Sequence, residues 1–160
     1  MKEVKIESKL YVFENFDELP DEVTLLMKKA VEIREKAYAP YSKFYVGAAL
    51  LLDNNEIITG NNQENASYPS GLCAERTAIY YAGSQYPNAK VVRMAITAGS
   101  KRNKTTAPIP PCGACRQAIA EYEVKQDAPI EIYFMGETGK IAKSDSLANL
   151  LPLVFDKSVL

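Results

Sequence analysis

Cys73, Cys112, Cys115 and Glu75 are the residues of this sequence best suited to form a metal site. Cys112 and Cys115 form a Cys-x-x-Cys pair, which is typical of zinc proteins because sulfurs at this spacing reach one ion at about 2.3 Å. The chain has three cysteines and no histidine, so a zinc ion held by all three keeps a fourth position for water or a carboxylate. Structural zinc sites have four protein ligands, whereas catalytic ones have three and a water. The ligand count therefore predicts one catalytic zinc ion per chain.

Glu75 lies two residues after Cys73, where it is near the metal without having to be a ligand. A carboxylate at this position can take a proton from zinc-bound water and pass it on. The alternative is a plain acidic residue in a first helical turn, which the helix dipole favours. Beside three metal thiolates we interpret Glu75 as catalytic. Cys-Ala-Glu followed by Pro-Cys-x-x-Cys has the form of the zinc deaminase signature, with cysteine where some members carry histidine.

A site of three thiolates is anionic, which weakens the ability of zinc to acidify a bound water. All three cysteines lie at predicted helix starts, and the partial positive charge there favours thiolate over thiol. Arg76 is a second candidate source of positive charge, as a donor to a ligating sulfur. An ordinary surface ion pair is the alternative for this arginine.

Two other interpretations of the cysteines remain. They could be a redox pair plus one buried thiol, although Cys112 and Cys115 lack the aromatic lead-in usual for such pairs and Cys73 would have no role. They could also be three inert core residues, because free cysteine is often buried.

Alternating helices and apolar strands must position these residues. The hydrophobic pattern predicts helices over residues 21–38, 73–84, 112–122 and 146–151, and strands over 46–52, 57–59, 91–97 and 130–135. Residues 46–59 read as a hairpin that turns at Asp53-Asn54-Asn55. The order indicates an α/β fold, a three-layer α/β/α sandwich with a mixed central sheet. We expect residues 1–19 to form an N-terminal arm, with one strand over 5–13, and residues 20–160 to form a single catalytic domain.

The composition excludes several classes of function. The net charge is −1, and no basic face of the kind that binds nucleic acid is visible. No apolar stretch approaches the roughly 20 residues of a membrane span. Three cysteines cannot all pair, and a reducing compartment keeps them as thiols. We therefore expect a cytoplasmic protein that binds neither nucleic acid nor membrane.

The sequence resembles the cytidine deaminase family, in its small homotetrameric form. The motifs that carry the resemblance are Ala39-Pro-Tyr-Ser-Lys-Phe44, Val46-Gly-Ala-Ala49, Glu64-Asn-Ala-Ser-Tyr-Pro69, Cys73-Ala-Glu-Arg-Thr-Ala78 and Pro111-Cys-Gly-Ala-Cys-Arg-Gln117. The resemblance implies zinc-dependent hydrolysis of cytidine and deoxycytidine to uridine and deoxyuridine, with release of ammonia, in pyrimidine salvage. It also implies that Glu75 carries a proton from water to N3 of the base and helps ammonia leave from C4.

The resemblance further implies a set of substrate contacts. Asn62 and Glu64 would hydrogen-bond the ribose 3′-hydroxyl, and the backbone of Ala74 would read the pyrimidine. Phe44 would form an aromatic wall of the base pocket. Tyr68 and Phe155 would reach a neighbouring subunit's site in the tetramer, although packing in the core is the alternative for aromatic residues.

Arg76 matches a family arginine that donates to the zinc thiolates. Asn61 and Gln63 depart from the family pattern, and we expect them to face the other side of the strand. The first 20 or so residues have no counterpart, and they could add an edge strand or a contact between subunits.

Two rival functions are compatible with a site of this kind. One is a different deaminase, of the blasticidin or nucleotide type, against which the Glu64–Pro69 motif and the lack of a basic phosphate cluster both argue. The other is a non-catalytic binding protein that zinc stabilises, which would have no need of Glu75.

Overall fold

The computed structural model describes all residues, 1–160. Its helices are α1 (Asp21–Arg34), α2 (Ala74–Gln85), α3 (Gly113–Gln126) and α4 (Leu147–Leu150). Its strands are β1 (Tyr11–Phe13), β2 (Phe44–Leu52), β3 (Ile57–Asn61), β4 (Val91–Ser100), β5 (Glu131–Met135) and β6 (Ile141–Ser144). No helix combines the length and the apolar character that crossing a membrane requires.

The six strands form one mixed sheet in the order β1-β6-β5-β4-β2-β3. Only the β4–β5 pair is parallel, and every other neighbouring pair is antiparallel. One apolar core joins the sheet to α2, α3 and α4, and a second joins it to α1. The predicted α/β sandwich with helices on both sides of a mixed sheet is confirmed.

The predicted hairpin is present as β2 and β3, with Asn55 in the left-handed region at φ 67°. Along β2, Ala48 and Leu50 belong to the core under α2, whereas Ala49 belongs to the core under α1. A strand covered on both faces has no need of polar residues at alternate positions. This explains the nearly unbroken apolar run in the sequence.

Several predicted elements have other bounds in the structure. Helix α3 continues to Gln126 instead of residue 122, and β4 continues to Ser100 instead of residue 97. Three other elements are shorter than predicted. Helix α1 ends at Arg34 instead of residue 38, because the backbone of Tyr38 donates to the carbonyl of Asn62 and accepts from the N–H of Glu64. The last helix is limited to residues 147–150, with Ser146 as its N-cap. The N-terminal strand covers residues 11–13, not 5–13, and it pairs with β6 as an edge strand.

Strand β6 was missed in the sequence, because Ile141-Ala-Lys-Ser is short and only half apolar. Its burial comes from its neighbours, since β5 and β1 flank it and Ile141 is fully buried. The N-terminal arm also reaches the core, where Leu19 is buried and Phe13 and Phe16 pack against α1 and the sheet. The division of the chain at residue 20 stays a prediction.

Glycine lets two helices approach the sheet at backbone contact distance. A Cβ at Gly47 in β2 would lie 2.7 Å from the amide nitrogen of Arg34 in α1. On the other face, a Cβ at Gly60 in β3 would lie 2.6 Å from the amide nitrogen of Ala78 and 2.7 Å from the carbonyl oxygen of Ala74. Cβ atoms do not approach backbone atoms so closely, so any residue other than glycine at position 60 would force α2 away from β3.

Gly60→Ala is therefore expected to push α2 away from β3 and to destabilise the protein by about 1–3 kcal/mol, the range for overpacking a well-packed contact. The measurement is the thermal midpoint of the zinc-loaded protein, which should fall by several degrees. Gly113→Ala is the matched control, since a Cβ there meets nothing within 4 Å and alanine is the better helix former. Equal midpoints for the two variants would contradict the packing argument.

Candidate metal centre

The three cysteines meet where two helices begin, as the sequence predicts. Cys73 is the N-cap of α2 and Cys112 is the N-cap of α3, both with extended backbone. Cys115 follows in the first turn of α3 and is fully buried. The three Sγ atoms all lie within 4.8 Å of one another. One ion that reaches about 2.3 Å to each sulfur can bridge this separation.

The chemistry of these sulfurs suits a zinc ion. The pKa of Cys73 is lowered to about 5, first by a hydrogen bond from the Cys115 thiol and then by Arg76. The same hydrogen bond, together with burial, raises the pKa of Cys115. One sulfur is thus already a thiolate at neutral pH, and a divalent cation that displaces the proton of its neighbour gains a second. The donor set therefore fits zinc, with Cys73, Cys112 and Cys115 as ligands.

Glu75 lies in the first turn of α2 and is buried, with 4% of its surface exposed. Burial raises the pKa of its carboxyl group, and the negative charge of Cys73 adds to the rise. A hydrogen bond with Cys115 acts in the opposite direction but does not outweigh burial. The structure thus brings Glu75 to the three sulfurs as a carboxyl group that holds its proton more tightly than usual.

Arg76 approaches the same sulfurs from the cavity side. Its Nη2 donates to the Sγ of Cys73 at 3.5 Å. Its Nε is a buried donor without a protein partner. The guanidinium therefore places positive charge beside the thiolate, as the sequence led us to expect.

Arg116 is a positioning residue that sequence reasoning missed. Its Nε donates to the carbonyl of Pro111 at 2.9 Å, and its Nη1 donates to the carbonyl of Leu150 at 2.9 Å. These bonds tie the segment before Cys112 to the end of α4. Its place directly after Cys115 was the only signal in the sequence, and spacing alone does not reveal its partners.

A cavity of about 470 Å³ opens beside Cys73 and Arg76. Three predicted substrate residues, Asn62, Glu64 and Tyr68, line it. The predicted residues Phe44 and Ala74 are not among its lining residues, and neither are Glu75, Cys112 and Cys115. Ala74 is fully buried at the start of α2, so only its backbone can face a ligand.

Asn62 and Glu64 both hold the cavity wall together. Asn62 accepts from the N–H of Val46 at 2.8 Å and donates to the carbonyl of Phe44 at 2.9 Å. Glu64 accepts from the N–H groups of Tyr41 and Ser42, at 2.9 and 3.3 Å, and from the hydroxyl of Ser42. Burial alone would raise the pKa of Glu64, but these hydrogen bonds outweigh it and hold the pKa below its usual value.

Ser42 and Tyr41 were not singled out as functional residues in the sequence, although they belong to the Ala39–Phe44 motif. Nothing in the local pattern shows that this turn supplies three donors to a carboxylate 22 residues later. Asn61, the polar residue before Asn62, donates to the carbonyl of Ile33 at 3.1 Å and so faces α1. Gln63 donates to Asn61 at 2.7 Å but also borders the cavity.

The two aromatic residues predicted to reach another subunit are exposed. Tyr68 is 76% exposed and Phe155 is 61% exposed. The ring of Tyr68 lies 6.1 Å from that of Tyr41. Phe155 has no place in the cavity of its own chain, and its carbonyl accepts from Gln117 at 2.7 Å. Core packing, the alternative for both residues, is wrong.

Comparisons with known proteins converge on one family. The model of the cytidine and deoxycytidylate deaminase zinc-binding region matches residues 20–127. The cytidine deaminase of Halalkalibacterium halodurans is 44% identical over 131 residues, which are 82% of this chain and 92% of the relative. That of Sporosarcina psychrophila is 40% identical over 136 residues, 85% of this chain and 93% of the relative.

Solved structures give the same result. The crystal structure of cytidine deaminase from Burkholderia pseudomallei superposes with a TM-score of 0.71 at 35% identity, and covers 86% of this chain and all of its own. That of Mycobacterium tuberculosis superposes with a TM-score of 0.66 at 29% identity, and covers 86% of this chain and 99% of its own.

The metal ligands are tested by measuring zinc in the purified protein. We expect one zinc ion per chain, and we expect Cys115→Ser to weaken zinc binding by more than the roughly 10- to 100-fold that loss of an outer-shell partner costs. Competition against a chromogenic chelator measures the affinity. Ala114→Ser is the control, because it adds a hydroxyl to the same helical turn and removes no sulfur. Full zinc affinity in Cys115→Ser would exclude Cys115 as a ligand.

Proposed function

Because this chain belongs to the cytidine and deoxycytidylate deaminase family, we propose that it hydrolyses cytidine and deoxycytidine to uridine and deoxyuridine with release of ammonia. The observation that carries the proposal is the buried carboxyl group of Glu75 beside three clustered cysteine sulfurs. Hydrolysis at an amino-substituted carbon requires a proton carrier next to a site for zinc, and Cys73 of this site lines a cavity that can admit a substrate.

Cys73, Cys112 and Cys115 would hold the zinc ion. When bound, zinc lowers the pKa of a water molecule in its open position and so makes a nucleophile available near neutral pH. Groups of the protein would offset the negative charge of the sulfurs. The N-termini of α2 and α3 contribute partial positive charge, and Arg76 donates directly to Cys73.

Glu75 would move the protons of the reaction. Its carboxylate takes the proton of the attacking water and delivers it to N3 of the pyrimidine, which makes C4 open to attack. After the hydroxide has added to C4, Glu75 would take the proton of the new C4 hydroxyl group and give it to the amino group. The C4–N bond then breaks, ammonia leaves and the C4 carbonyl of the uracil base forms. A general acid and base works best when its pKa lies near the working pH. The burial that raises the pKa of Glu75 therefore suits both halves of this task.

Asn62 and Glu64 would bind the ribose with the hydrogen-bond donor and acceptor sites that their contacts within the protein leave unused. A carboxylate has about four acceptor sites, and the three donors of the Tyr41–Ser42 turn leave Glu64 room for one hydroxyl group. The amide of Asn62 uses one donor and one acceptor on β2, so it keeps one of each. Both side chains are thus already oriented before a nucleoside enters.

The charge of the cavity favours a nucleoside over a nucleotide. Glu64 is ionised at neutral pH, since its pKa lies below the usual value, and it would repel a phosphate group nearby. Arg76 is the only basic residue of the lining, and it is turned toward Cys73. Phe44, at the start of β2, would contact the base, and the backbone of Ala74 would hydrogen-bond its amide edge.

We further propose a homotetramer with shared sites, in which Tyr68 and Phe155 reach the cavity of a neighbouring subunit. Their exposure supports this assembly, as does that of Leu153, which is 88% exposed. We also propose a cytoplasmic location, since a reducing compartment would keep the three cysteines as thiols that can bind a metal. Pyrimidine salvage is the process that such a reaction would serve.

The substrate is tested by following the loss of ultraviolet absorbance with cytidine, deoxycytidine, dCMP and adenosine. We expect turnover of both cytidine nucleosides, and we expect dCMP to react far more slowly because Glu64 repels its phosphate. Adenosine should not react, since the site is proposed to read a pyrimidine. Zinc-loaded protein that turns over no cytidine nucleoside would overturn the proposed function. A preference for dCMP would show that the substrate is a nucleotide instead of a nucleoside.

The role of Glu75 is tested with Glu75→Gln, which keeps the shape of the side chain but cannot accept a proton. We expect kcat to fall by roughly 10²- to 10⁴-fold, the usual contribution of a positioned acid and base, while zinc content stays at the wild-type level. Glu121→Gln, the same change at an exposed position of α3, should leave kcat unchanged. Retained activity in Glu75→Gln would assign proton transfer to another group.

A further inference from the structure

The N-terminal arm contains an edge that the rest of the chain leaves uncovered. Strand β1 is the last strand of the sheet and pairs only with β6. An exposed strand edge presents unpaired N–H and C=O groups that can pair with another chain. The match to the family model begins at residue 20, so the arm is a feature that the family model does not describe.

Asn149 extends the pairing of the arm beyond β6. Its side-chain amide accepts from the N–H of Lys9 at 2.8 Å and donates to the carbonyl of Lys9 at 2.7 Å, as a neighbouring peptide unit would. The hydroxyl of Ser8 also donates to the carbonyl of Asn149 at 2.8 Å. Lys9 thus turns its backbone groups inward. Residues 1–10 form no strand within one chain. In a strand that continued from Lys9 toward the N-terminus, backbone groups would alternate in direction, so the even-numbered residues would face the open edge.

The side chains of the arm alternate with the same period of two. The odd-numbered positions carry charges of alternating sign, which are Glu3, Lys5, Glu7 and Lys9. The even-numbered positions carry exposed apolar side chains, which are Val4, Ile6, Leu10 and Val12, interrupted by Ser8. Lys5 and Glu7 already form an ion pair at 2.5 Å within one arm.

We propose that the arms of two copies of this chain pair as an antiparallel ribbon centred on Ile6. In this register each Lys5 lies opposite Glu7 of the partner subunit, and each Lys9 lies opposite Glu3 of the partner subunit. Ile6 lies opposite its own equivalent, as an isologous two-fold contact requires. This register makes the even-numbered residues the hydrogen-bonded pairs, which continues the alternation that begins with the inward backbone groups of Lys9.

The charge pattern favours this register over registers shifted by one or two residues. A shift of two residues in either direction sets Lys5 opposite Lys5 or Lys9 of the partner subunit, and like charges directly opposite are destabilising. A shift of one residue sets charged side chains opposite apolar ones, which a period of two does not tolerate. A parallel, in-register ribbon sets every charge opposite its own sign. Charge complementarity therefore favours a second copy of the chain as the occupant.

A cysteine introduced at the centre of the ribbon tests the register. Cα atoms in a hydrogen-bonded antiparallel pair lie about 5.5 Å apart, within the range that a disulfide spans. Ile6→Cys should therefore give a cross-linked dimer on a non-reducing gel after mild oxidation of the zinc-loaded protein. Val4→Cys is the matched control, since residue 4 lies opposite residue 8 and should not cross-link. Absence of dimer in Ile6→Cys, or equal dimer in both variants, would overturn the ribbon.

A charge swap tests whether the pairing of Lys5 with Glu7 of the partner subunit stabilises the ribbon. In the Ile6→Cys background, Lys5→Glu should slow cross-linking at least about tenfold, because two attractive pairs become repulsive. Adding Glu7→Lys should restore the rate, since the charges become complementary again. Lys2→Glu, the same change of charge opposite Leu10 of the partner subunit, should have little effect. A double variant that cross-links no faster than Lys5→Glu would overturn the charge pairing and indicate another occupant of the edge.

Discussion

The negative charge of three neighbouring sulfur atoms is the constraint on which the site depends. Sulfurs within 4.8 Å of one another repel once they are ionised, so positive charge must lie nearby. The fold supplies it from the N-termini of α2 and α3 and from the guanidinium of Arg76. The cysteines also limit the total negative charge. Cys73 has a lowered pKa and ionises, whereas Cys115 has a raised pKa and keeps its proton. Metal binding at such a site is therefore coupled to proton release.

The same charge acts on Glu75. Burial is the largest cause of its raised pKa, and the charge of Cys73 is a further one. A cation at the sulfurs would remove the second contribution and leave the first. The burial of Glu75 at the start of α2 therefore raises its pKa independently of the charge on the sulfurs. The catalytic chemistry that we propose is in this way linked to the packing of α2, whose residues Ala74, Ala78 and Ile79 belong to the apolar core.

The sequence predicted the parts of the structure that depend on local pattern. The cysteines at helix starts, Glu75 two residues after Cys73 and the hairpin all follow from spacing and from turn residues. Strand β6 and the end of α1 do not, because they are decided by pairing with distant segments. The partners of Asn62 were equally hidden, since a side-chain amide that bonds to β2 cannot be distinguished in a sequence from one that faces a ligand. Resemblance to a family names such residues but not their bonds.

The cavity has two walls of different origin, and one backbone contact sets their separation. The metal wall is carried by the start of α2, where Cys73 and Arg76 line the cavity. The polar wall is carried by the end of β3, where Asn62 follows directly and bonds to β2. Gly60 lies two residues before Asn62 and against the first turn of α2, so it determines how far the polar wall stands from the metal wall. A shift of about 1 Å in bound geometry is enough to cost a large part of a catalysed rate. The absence of a side chain at this position therefore contributes to the site even though Gly60 itself has no group that reacts.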